Sequence, residues 1–310
     1  MLNTLDYNPA LMKRIFSLVI SLTILISSTS CAPASSAGAT PVPSATYIEN
    51  KGSDTIVNLA LAWAERYQSE HQDIRISVTG GGSGTGIASL INGTVDIANS
   101  SRQIKEEEIE EAKSKGTEPV EHIIARDAIA VIVHPDNPVN ELTLQQISDI
   151  YSGKITNWMD VGGEDRPIVK LSRETNSGTH VYFLETVLRL GNSDDETLFS
   201  MDTLLLPSSE GIIVEVRQNP NAIGYDGLGY VPEDLKTIAI ANAAGGAYVL
   251  PSIATVNDKS YAIARDLYMY TNGEPTGIIK DYLDWILAPE AQDIVAELGF
   301  VPAINPSASP

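Results

Sequence analysis

The sequence predicts an α/β protein of two lobes, each built on a mostly parallel sheet that is flanked by helices. Strand-like and helix-like apolar patterns alternate along most of the chain, as they do where helices connect parallel strands. The length of 310 residues is enough for two domains with separate cores. A glycine-containing turn stands between a strand and a helix once in each half of the chain. We therefore expect two lobes, each with a polar turn at the carboxyl end of a strand.

The first half is predicted to be folded from about Tyr47 onward. Apolar residues recur at helical spacing between Ile56 and Tyr67, and they alternate as in a half-buried strand between Ile74 and Val78. The later segments are predicted as a short helix (87–91), a strand (95–98), a charged helix (105–115) and a long apolar strand (123–133).

The second half is predicted to repeat this alternation. Thr143 is placed to cap a helix that runs to Tyr151 and ends at Ser152 and Gly153. The later segments are predicted as a strand (168–171), a helix (179–190), a helix capped by Ser208 or Ser209, strands (222–225 and 267–270) and two closing helices (277–287 and 289–298).

The charge of the chain argues against a nucleic-acid-binding protein. Lys and Arg number 20 and Asp and Glu number 40, which gives a formal net charge of −20 at pH 7. Phosphate backbones are bound by basic patches, which this balance disfavours. Binding of a small anion is still compatible with it, because neutral donors and dipoles can hold an anion locally whatever the net charge.

The N-terminus has the features of an export signal. The basic residues Lys13 and Arg14, which follow Met12, precede an uncharged, mostly apolar run from Ile15 to Ile26. That run is too short to cross a bilayer as a helix, which takes about 20 residues. We therefore expect the mature protein to lie in the periplasm or at the cell surface.

Cys31 follows the apolar run and is the only cysteine, so it cannot form an internal disulfide. We expect residues 1–31 to be a signal peptide with a lipidation site at Cys31, and residues 32–46, rich in Pro and Ser, to be a flexible tether. The alternative is ordinary cleavage after Ala39, which would remove Cys31.

The tripeptide Ser-Gly-Thr occurs at Ser83-Gly84-Thr85, inside a glycine-rich run, and again at Ser177-Gly178-Thr179. A Gly-rich turn that opens a helix exposes backbone N–H groups at the positive end of the helix dipole, and the hydroxyl groups add donors. The two turns predict two lobes that converge on one anion.

Arg173 follows a predicted strand and shortly precedes the second turn, where its guanidinium would suit a tetrahedral oxyanion. The alternative is a surface arginine that is paired with Glu174 or with another of the many acidic residues. Two weaker candidates have simple alternatives of their own: Gly52-Ser53-Asp54-Thr55 could be helix capping alone, and Ser100-Ser101-Arg102 could be a polar turn with Arg102 paired to a glutamate.

Known enzyme motifs are not evident in the sequence. The run at 80–86 lacks the Lys-Ser/Thr of a nucleotide-phosphate loop and does not fit G-x-G-x-x-G, and Ser83 is not in a G-x-S-x-G turn. The four histidines have no metal-ligand spacing, and His180 beside Thr179 has no evident nucleophile to activate. We expect no catalysis, no metal and no cofactor.

Four segments, in this order, resemble the phosphate-binding proteins of high-affinity ABC phosphate importers. They are GSDT (52–55), GGGSGTG (80–86), TVDIANSSR (94–102) and RETNSGT (173–179). Further similarity lies in residues 144–158, which include IYSGKITNW, and in LGFVP at 298–302. The resemblance covers about residues 47–302.

The resemblance implies a type II periplasmic-binding-protein fold whose lobes (47–133 with 262–302, and 134–261) close on phosphate. It also implies a monomer without a cofactor, which catalyses no reaction and delivers phosphate to the transmembrane subunits of an ABC permease. By alignment with the family, phosphate would be held by Asp54, Thr55, Ser83, Ser101, Arg173, Ser177, the amide of Gly178 and Thr179.

Two positions differ from the family pattern. Asp54 stands where Thr is frequent, and Ser101 stands where some members have an acid. We interpret these differences as compensating, because one carboxylate in the cleft can accept the proton that phosphate carries at neutral pH. Sulfate has no proton to offer and would be repelled. The alternative is that Asp54 is only a helix cap.

Three other functions are open on the sequence alone. The same fold could bind sulfate, molybdate or tungstate. A secreted phosphatase or esterase could use Ser83 or Ser177 as its nucleophile, although no base is evident. A phosphate sensor or an adhesion protein would have no transport partner.

Overall fold

The computed structural model describes residues 45–303. The predicted signal peptide, Cys31, tether residues 32–44 and residues 304–310 lie outside this range. Among the helices between residues 45 and 303, none is both long enough and apolar enough to cross a membrane.

The first part of the chain alternates strands and helices as predicted. Its elements are β1 (Thr46–Gly52), α1 (Asp54–Glu70), β2 (Ile74–Thr79), α2 (Ser83–Ile91), β3 (Ile97–Ser100) and α3 (Glu106–Ser114). β1 lies between β2 and β3 and is parallel to both. β1 was not predicted, because its buried positions alternate Ile48 with the polar Asn50, and this hides the apolar pattern of a strand.

The second part has more short elements than the sequence predicted. They are β5 (Glu141–Thr143), α4 (Leu144–Tyr151), β6 (Val169–Arg173), α5 (Gly178–Phe183), β7 (Leu204–Leu206), α6 (Ser209–Gln218), β8 (Ala222–Gly227), β9 (Lys236–Thr237), β10 (Ala239–Ala241) and α7 (Ile253–Asn257). The helix predicted at 179–190 is α5 followed by a π-helical turn, Leu184–Leu188. Two 3-10 turns, Trp158–Val161 and Leu228–Tyr230, complete this part.

Two strands join the parts. β4 (Pro119–Val133) runs antiparallel to β11 (Ala264–Asn272) along its first portion and antiparallel to β8 along its last five residues. The main sheet has the order β2-β1-β3-β11-β4-β8-β6-β7, so its pairs are parallel towards both ends and antiparallel in the middle. After β11 the chain closes with α8 (Gly277–Ile286), α9 (Pro289–Glu297) and β12 (Val301–Pro302).

The hydrophobic interior is divided in the same way. One large cluster joins α1, β1, β3 and the closing helices around Trp63 and Tyr282, and another joins α4, α5 and β8 around Tyr151 and Phe183. β4 contributes to both, and its side chains change from the first cluster to the second at about Ala128. This packing is compatible with two lobes, whose boundaries at 133 and 262 stay a prediction.

Helix α2 packs directly on β1 because residue 86 has no side chain. A Cβ atom at Gly86 would lie 2.6 Å from the Cα of Gly52 and 2.6 Å from the carbonyl oxygen of Lys51. Both of those atoms belong to the backbone of β1 and cannot move aside easily. The glycine therefore sets how closely the first Ser-Gly-Thr turn approaches the sheet.

We predict that Gly86→Ala lowers the free energy of unfolding by about 1–3 kcal/mol, because the added methyl group forces α2 away from β1. Chemical denaturation followed by circular dichroism measures this. The matched control is Gly84→Ala in the same helix, where the nearest atom to the new Cβ is 3.4 Å away. Its effect should stay within about 0.5 kcal/mol. Equal losses in the two variants would contradict the prediction.

Candidate functional site

The two Ser-Gly-Thr turns lie against each other between the two parts of the molecule. The amide of Gly84 donates to the carbonyl oxygen of Asn176 over 3.1 Å, and Nδ2 of Asn176 donates to the carbonyl oxygen of Gly81 over 2.9 Å. The backbone of Gly178 is so close to the first turn that a Cβ atom there would lie 2.3 Å from Oγ of Ser83. The turns thus converge, as the sequence predicted.

Local sequence explains the shape of each turn. Gly82 precedes α2 with a φ angle of 93°, a left-handed conformation that favours glycine. Ser177 precedes α5, and its Oγ accepts hydrogen bonds from the amides of Thr179 and His180 over 3.2 and 3.5 Å. Each turn therefore presents its polar groups at the carboxyl end of a strand.

Four hydroxyl groups from the predicted site meet in two pairs. The hydroxyls of Thr55 and Thr179 share a hydrogen bond of 2.7 Å, which joins α1 to α5. The hydroxyls of Ser83 and Ser101 are 3.2 Å apart, and the amide of Ser101 donates to Oγ of Ser83 over 3.0 Å. All four residues are buried.

Arg173 ends β6 and is only 1% exposed. Nη2 donates to Oδ2 of Asp54 over 3.1 Å and to the carbonyl oxygen of Pro207 over 3.0 Å, while Nη1 donates to Oγ of Ser209 over 2.8 Å. Asp226 lies on the other side, with Oδ2 3.7 Å from Nη1. The alternative of a surface arginine is wrong, because the guanidinium is buried, although its partners do include two acids, Asp54 and Asp226.

Asp54 reaches across to the second part of the molecule. It is the first residue of α1, yet its Oδ2 accepts from Arg173 and from the amide of Ser209, 2.9 Å away at the start of α6. The residue at the cap position of α1, Ser53, makes no side-chain capping bond. Asp54 therefore does not cap its own helix and instead supplies a carboxylate at the N-terminus of another.

The sequence reasoning did not identify two buried carboxylates at the site. Asp226 on β8 accepts from Oγ of Ser209 over 3.0 Å and from the amide of Gly227 over 2.8 Å, and burial raises the pKa of its carboxyl group. Asp127 on β4 is also fully buried. Burial raises the pKa of Asp127 to about 6, although the guanidinium of Arg265 opposes that shift.

Arg265 on β11 is the third residue that was missed. Its guanidinium lies against Asp127, with Nη2 3.0 Å from Oδ2, and it also contacts the predicted site residues Thr179 and Ser101. The signal in the sequence was a charge that interrupts an apolar strand, as Asp127 does within 123–133 and Arg265 does just before 267–270. Such interruptions at buried positions point to a polar site.

The remaining candidates have local roles. Arg102 forms a bidentate ion pair with Glu108, with distances of 2.8 and 2.6 Å, which confirms the alternative of pairing with a nearby glutamate.

The ring of His180 shares a hydrogen bond of 3.0 Å with the hydroxyl of Ser172, which is fully buried, and burial lowers the pKa of that histidine. Among residues 45–303, no group of three or more His, Cys, Asp or Glu could hold a metal ion.

Known proteins of similar sequence form one group. A family model described as a PBP superfamily domain matches residues 37–290. The chain is 31% identical to the phosphate-binding protein PstS of Pseudomonas aeruginosa, over 82% of each chain. It is also 31% identical to the phosphate-binding protein PstS of Bacillus subtilis, over 82% of this chain and 80% of the relative.

Solved structures show the same similarity. One is a substrate-binding protein assigned to a phosphate ABC transporter of Clostridium perfringens, with bound phosphate. It is 34% identical, with a TM-score of 0.75 over 84% of this chain and 100% of that chain. Another is an ABC-type phosphate transport receptor of Vibrio cholerae, which is 28% identical, with a TM-score of 0.66 over 82% of this chain and 99% of that chain.

We predict that Gly178→Ala separates the two turns, because the new Cβ would lie 2.3 Å from Oγ of Ser83 and 2.6 Å from Oγ of Ser101. Amide hydrogen exchange of a peptide that contains Gly84 should become at least about tenfold faster, since its partner Asn176 moves away. The control is Gly211→Ala, also in the first turn of a helix with a serine cap, where the nearest atom would be 3.4 Å away. Unchanged exchange in Gly178→Ala would contradict the prediction.

Proposed function

The chain belongs to the PBP superfamily and, within it, to the family of PstS phosphate-binding proteins, and from this membership we propose that it binds inorganic phosphate outside the cytoplasmic membrane and delivers it to an ABC permease. One observation carries the proposal. The two Ser-Gly-Thr turns, 83–85 and 177–179, pack against each other beside a buried arginine. This brings hydroxyl, amide and guanidinium donors together between two parts of one molecule.

Phosphate would be held by groups that contact one another in this structure. The hydroxyl pairs Thr55–Thr179 and Ser83–Ser101 would exchange their mutual hydrogen bonds for bonds to phosphate oxygens. Oγ of Ser177 already accepts two amide hydrogen bonds, and its own proton has no acceptor among residues 45–303, so it would be available to an anion. The amide of Gly178 adds a backbone donor.

Arg173 would supply the charge contact. Charge-assisted hydrogen bonds contribute about 1.5–3 kcal/mol each, so several of them sustain micromolar binding without a metal. Asp54 and Asp226 hold the guanidinium in place from two sides.

Asp54 would select phosphate over sulfate. Within residues 45–303, both hydrogen bonds that the Asp54 carboxylate accepts, from the Arg173 guanidinium and the Ser209 amide, go to Oδ2, which leaves Oδ1 to accept the proton of phosphate. Sulfate carries no proton at neutral pH, so it would meet the carboxylate as an unrelieved like charge.

The proposal extends to the chain outside the site. Cys31 would carry a lipid anchor after signal cleavage, and the protein would act as a monomer at the cell surface or in the periplasm.

Two lobes, residues 47–133 with 262–302 and residues 134–261, would open and close around phosphate. The chain would catalyse no reaction, because within residues 45–303 neither Ser83 nor Ser177 has a basic side chain as a hydrogen-bond partner.

Titration calorimetry of the purified chain with phosphate, sulfate and molybdate tests the proposal. We expect phosphate to bind with a micromolar or lower Kd, and Arg173→Gln to weaken it by at least about tenfold. The control is Arg217→Gln, which removes an exposed ion pair with Asp234. Tighter binding of sulfate or molybdate would favour the rival anions, and turnover of a chromogenic phosphoester would favour the phosphatase.

Asp54→Asn separates selectivity from stability. The neutral amide oxygen is a weaker acceptor for the phosphate proton than a carboxylate oxygen, and the uncharged amide no longer repels sulfate. We therefore expect the ratio of sulfate Kd to phosphate Kd to fall by about 100-fold. Glu174→Gln, an exposed change beside Arg173, should leave the ratio unaltered. A less stable Asp54→Asn variant with the parental ratio would show that Asp54 serves only to hold the two parts together.

A further inference from the structure

Two Ala-Arg-Asp segments face each other in the centre of the sheet. They are Ala125-Arg126-Asp127 on β4 and Ala264-Arg265-Asp266 on β11, and the antiparallel register places Arg265 opposite Asp127 and Asp266 opposite Arg126. Successive residues of a strand point to opposite faces, so each face of this pair of strands carries one arginine and one aspartate.

The two charge pairs have different surroundings. Arg126 and Asp266 are partly exposed, and Nη2 of Arg126 donates to Oδ1 of Asn257 over 2.7 Å. Arg265 and Asp127 are 6% and 0% exposed. A buried ion pair costs desolvation free energy, so a pair at this place calls for a role beyond holding two strands together.

The guanidinium of Arg265 contacts both halves of the proposed phosphate site. Nη2 donates to Oγ1 of Thr179 over 2.9 Å, and Nη1 donates to the carbonyl oxygen of Ser101 over 2.8 Å. Nε and Nη2 donate to Oδ2 of Asp127 over 3.3 and 3.0 Å. Asp127 thus fixes the planar guanidinium of Arg265. The same guanidinium also donates to Thr179, in the second Ser-Gly-Thr turn, and to Ser101, whose hydroxyl contacts Ser83 in the first turn.

We propose that Arg265, held by Asp127, is a positioning residue for phosphate: it directs the Thr179 hydroxyl proton towards the anion. The inference rests on the proposed function. Arg265 acts through Thr179, and its charge is balanced by Asp127.

The reason lies in the single proton of a hydroxyl group. Thr179 and Thr55 share one hydrogen bond, so one of them donates and the other accepts. A guanidinium has donors only, so Arg265 must occupy a lone pair of the Thr179 oxygen. The Thr179 proton then points away from Arg265, where a phosphate oxygen can accept it. Without Arg265, Thr179 could accept from Thr55 and present a lone pair to the anion.

A double-mutant cycle with calorimetric phosphate Kd values tests the inference. Arg265→Lys keeps the charge beside Asp127 but cannot reproduce the planar fork. We expect it to weaken phosphate binding by about tenfold in the parent, in line with the loss of one charge-assisted hydrogen bond. In a Thr179→Val background it should weaken binding less than about threefold, because the hydroxyl it orients is gone.

The matched control is Arg126→Lys, the equivalent change on the other face of the same strands, which should leave the Kd within about twofold in both backgrounds. Equal fold-changes for Arg265→Lys with and without the Thr179 hydroxyl would overturn the inference. A phosphate Kd for Arg265→Lys that equals the parental value would overturn it too. If Arg265→Lys does not fold, Arg265→Gln replaces it in the cycle. Loss of folding in both would assign Arg265 to stability alone.

The result is separable from the proposed function. If the parent chain binds no phosphate, the proposed function fails and the cycle is not reached. If the parent binds phosphate and the cycle is additive, only the positioning role of Arg265 fails.

Discussion

Arg173 cannot be buried without carboxylates, and this requirement joins the two parts of the molecule. At 1% exposure its guanidinium loses several kcal/mol of solvation free energy, which nothing would offset if the group were left unpaired. Asp226 comes from the same part of the chain, whereas Asp54 comes from the first helix and must cross to reach it. The arrangement in which the two Ser-Gly-Thr turns touch is therefore also the one in which the Arg173 guanidinium is paired with both Asp54 and Asp226. In the proposed site, an anion would meet a guanidinium whose direction is already fixed.

The sequence predicts the local features of this protein and misses those that depend on register. The capping role of Thr143 is confirmed, since its Oγ1 accepts from the amide of Gln146 over 3.1 Å, and the two turns could be read from composition and neighbouring patterns. Arg265 and Asp127 could not be paired in this way, because they are 138 positions apart and meet only through the alignment of β11 with β4.

A protein with a formal net charge of −20 can still bind an anion, because most of its acidic side chains lie away from the proposed site. The two arginines of the proposed site, Arg173 and Arg265, are almost fully buried, and their nearest carboxylates hold them in place. Much of the remaining acid is exposed, as along α3, where solvent and salt screen it beyond about 10 Å. Recognition in such a site depends on the direction of a few donors, and the total charge of the protein acts mainly on the rate of arrival.

Strand β4 takes part in both hydrophobic clusters, and this limits how the chain can be divided. A fragment cut at either end of β4 would leave a strand edge without its partner and a row of apolar side chains in water, because residues up to Ala128 pair with β11 and those from Ile129 pair with β8. Each part therefore depends on β4 for some of its core. New sequence is best accommodated in surface loops away from this strand.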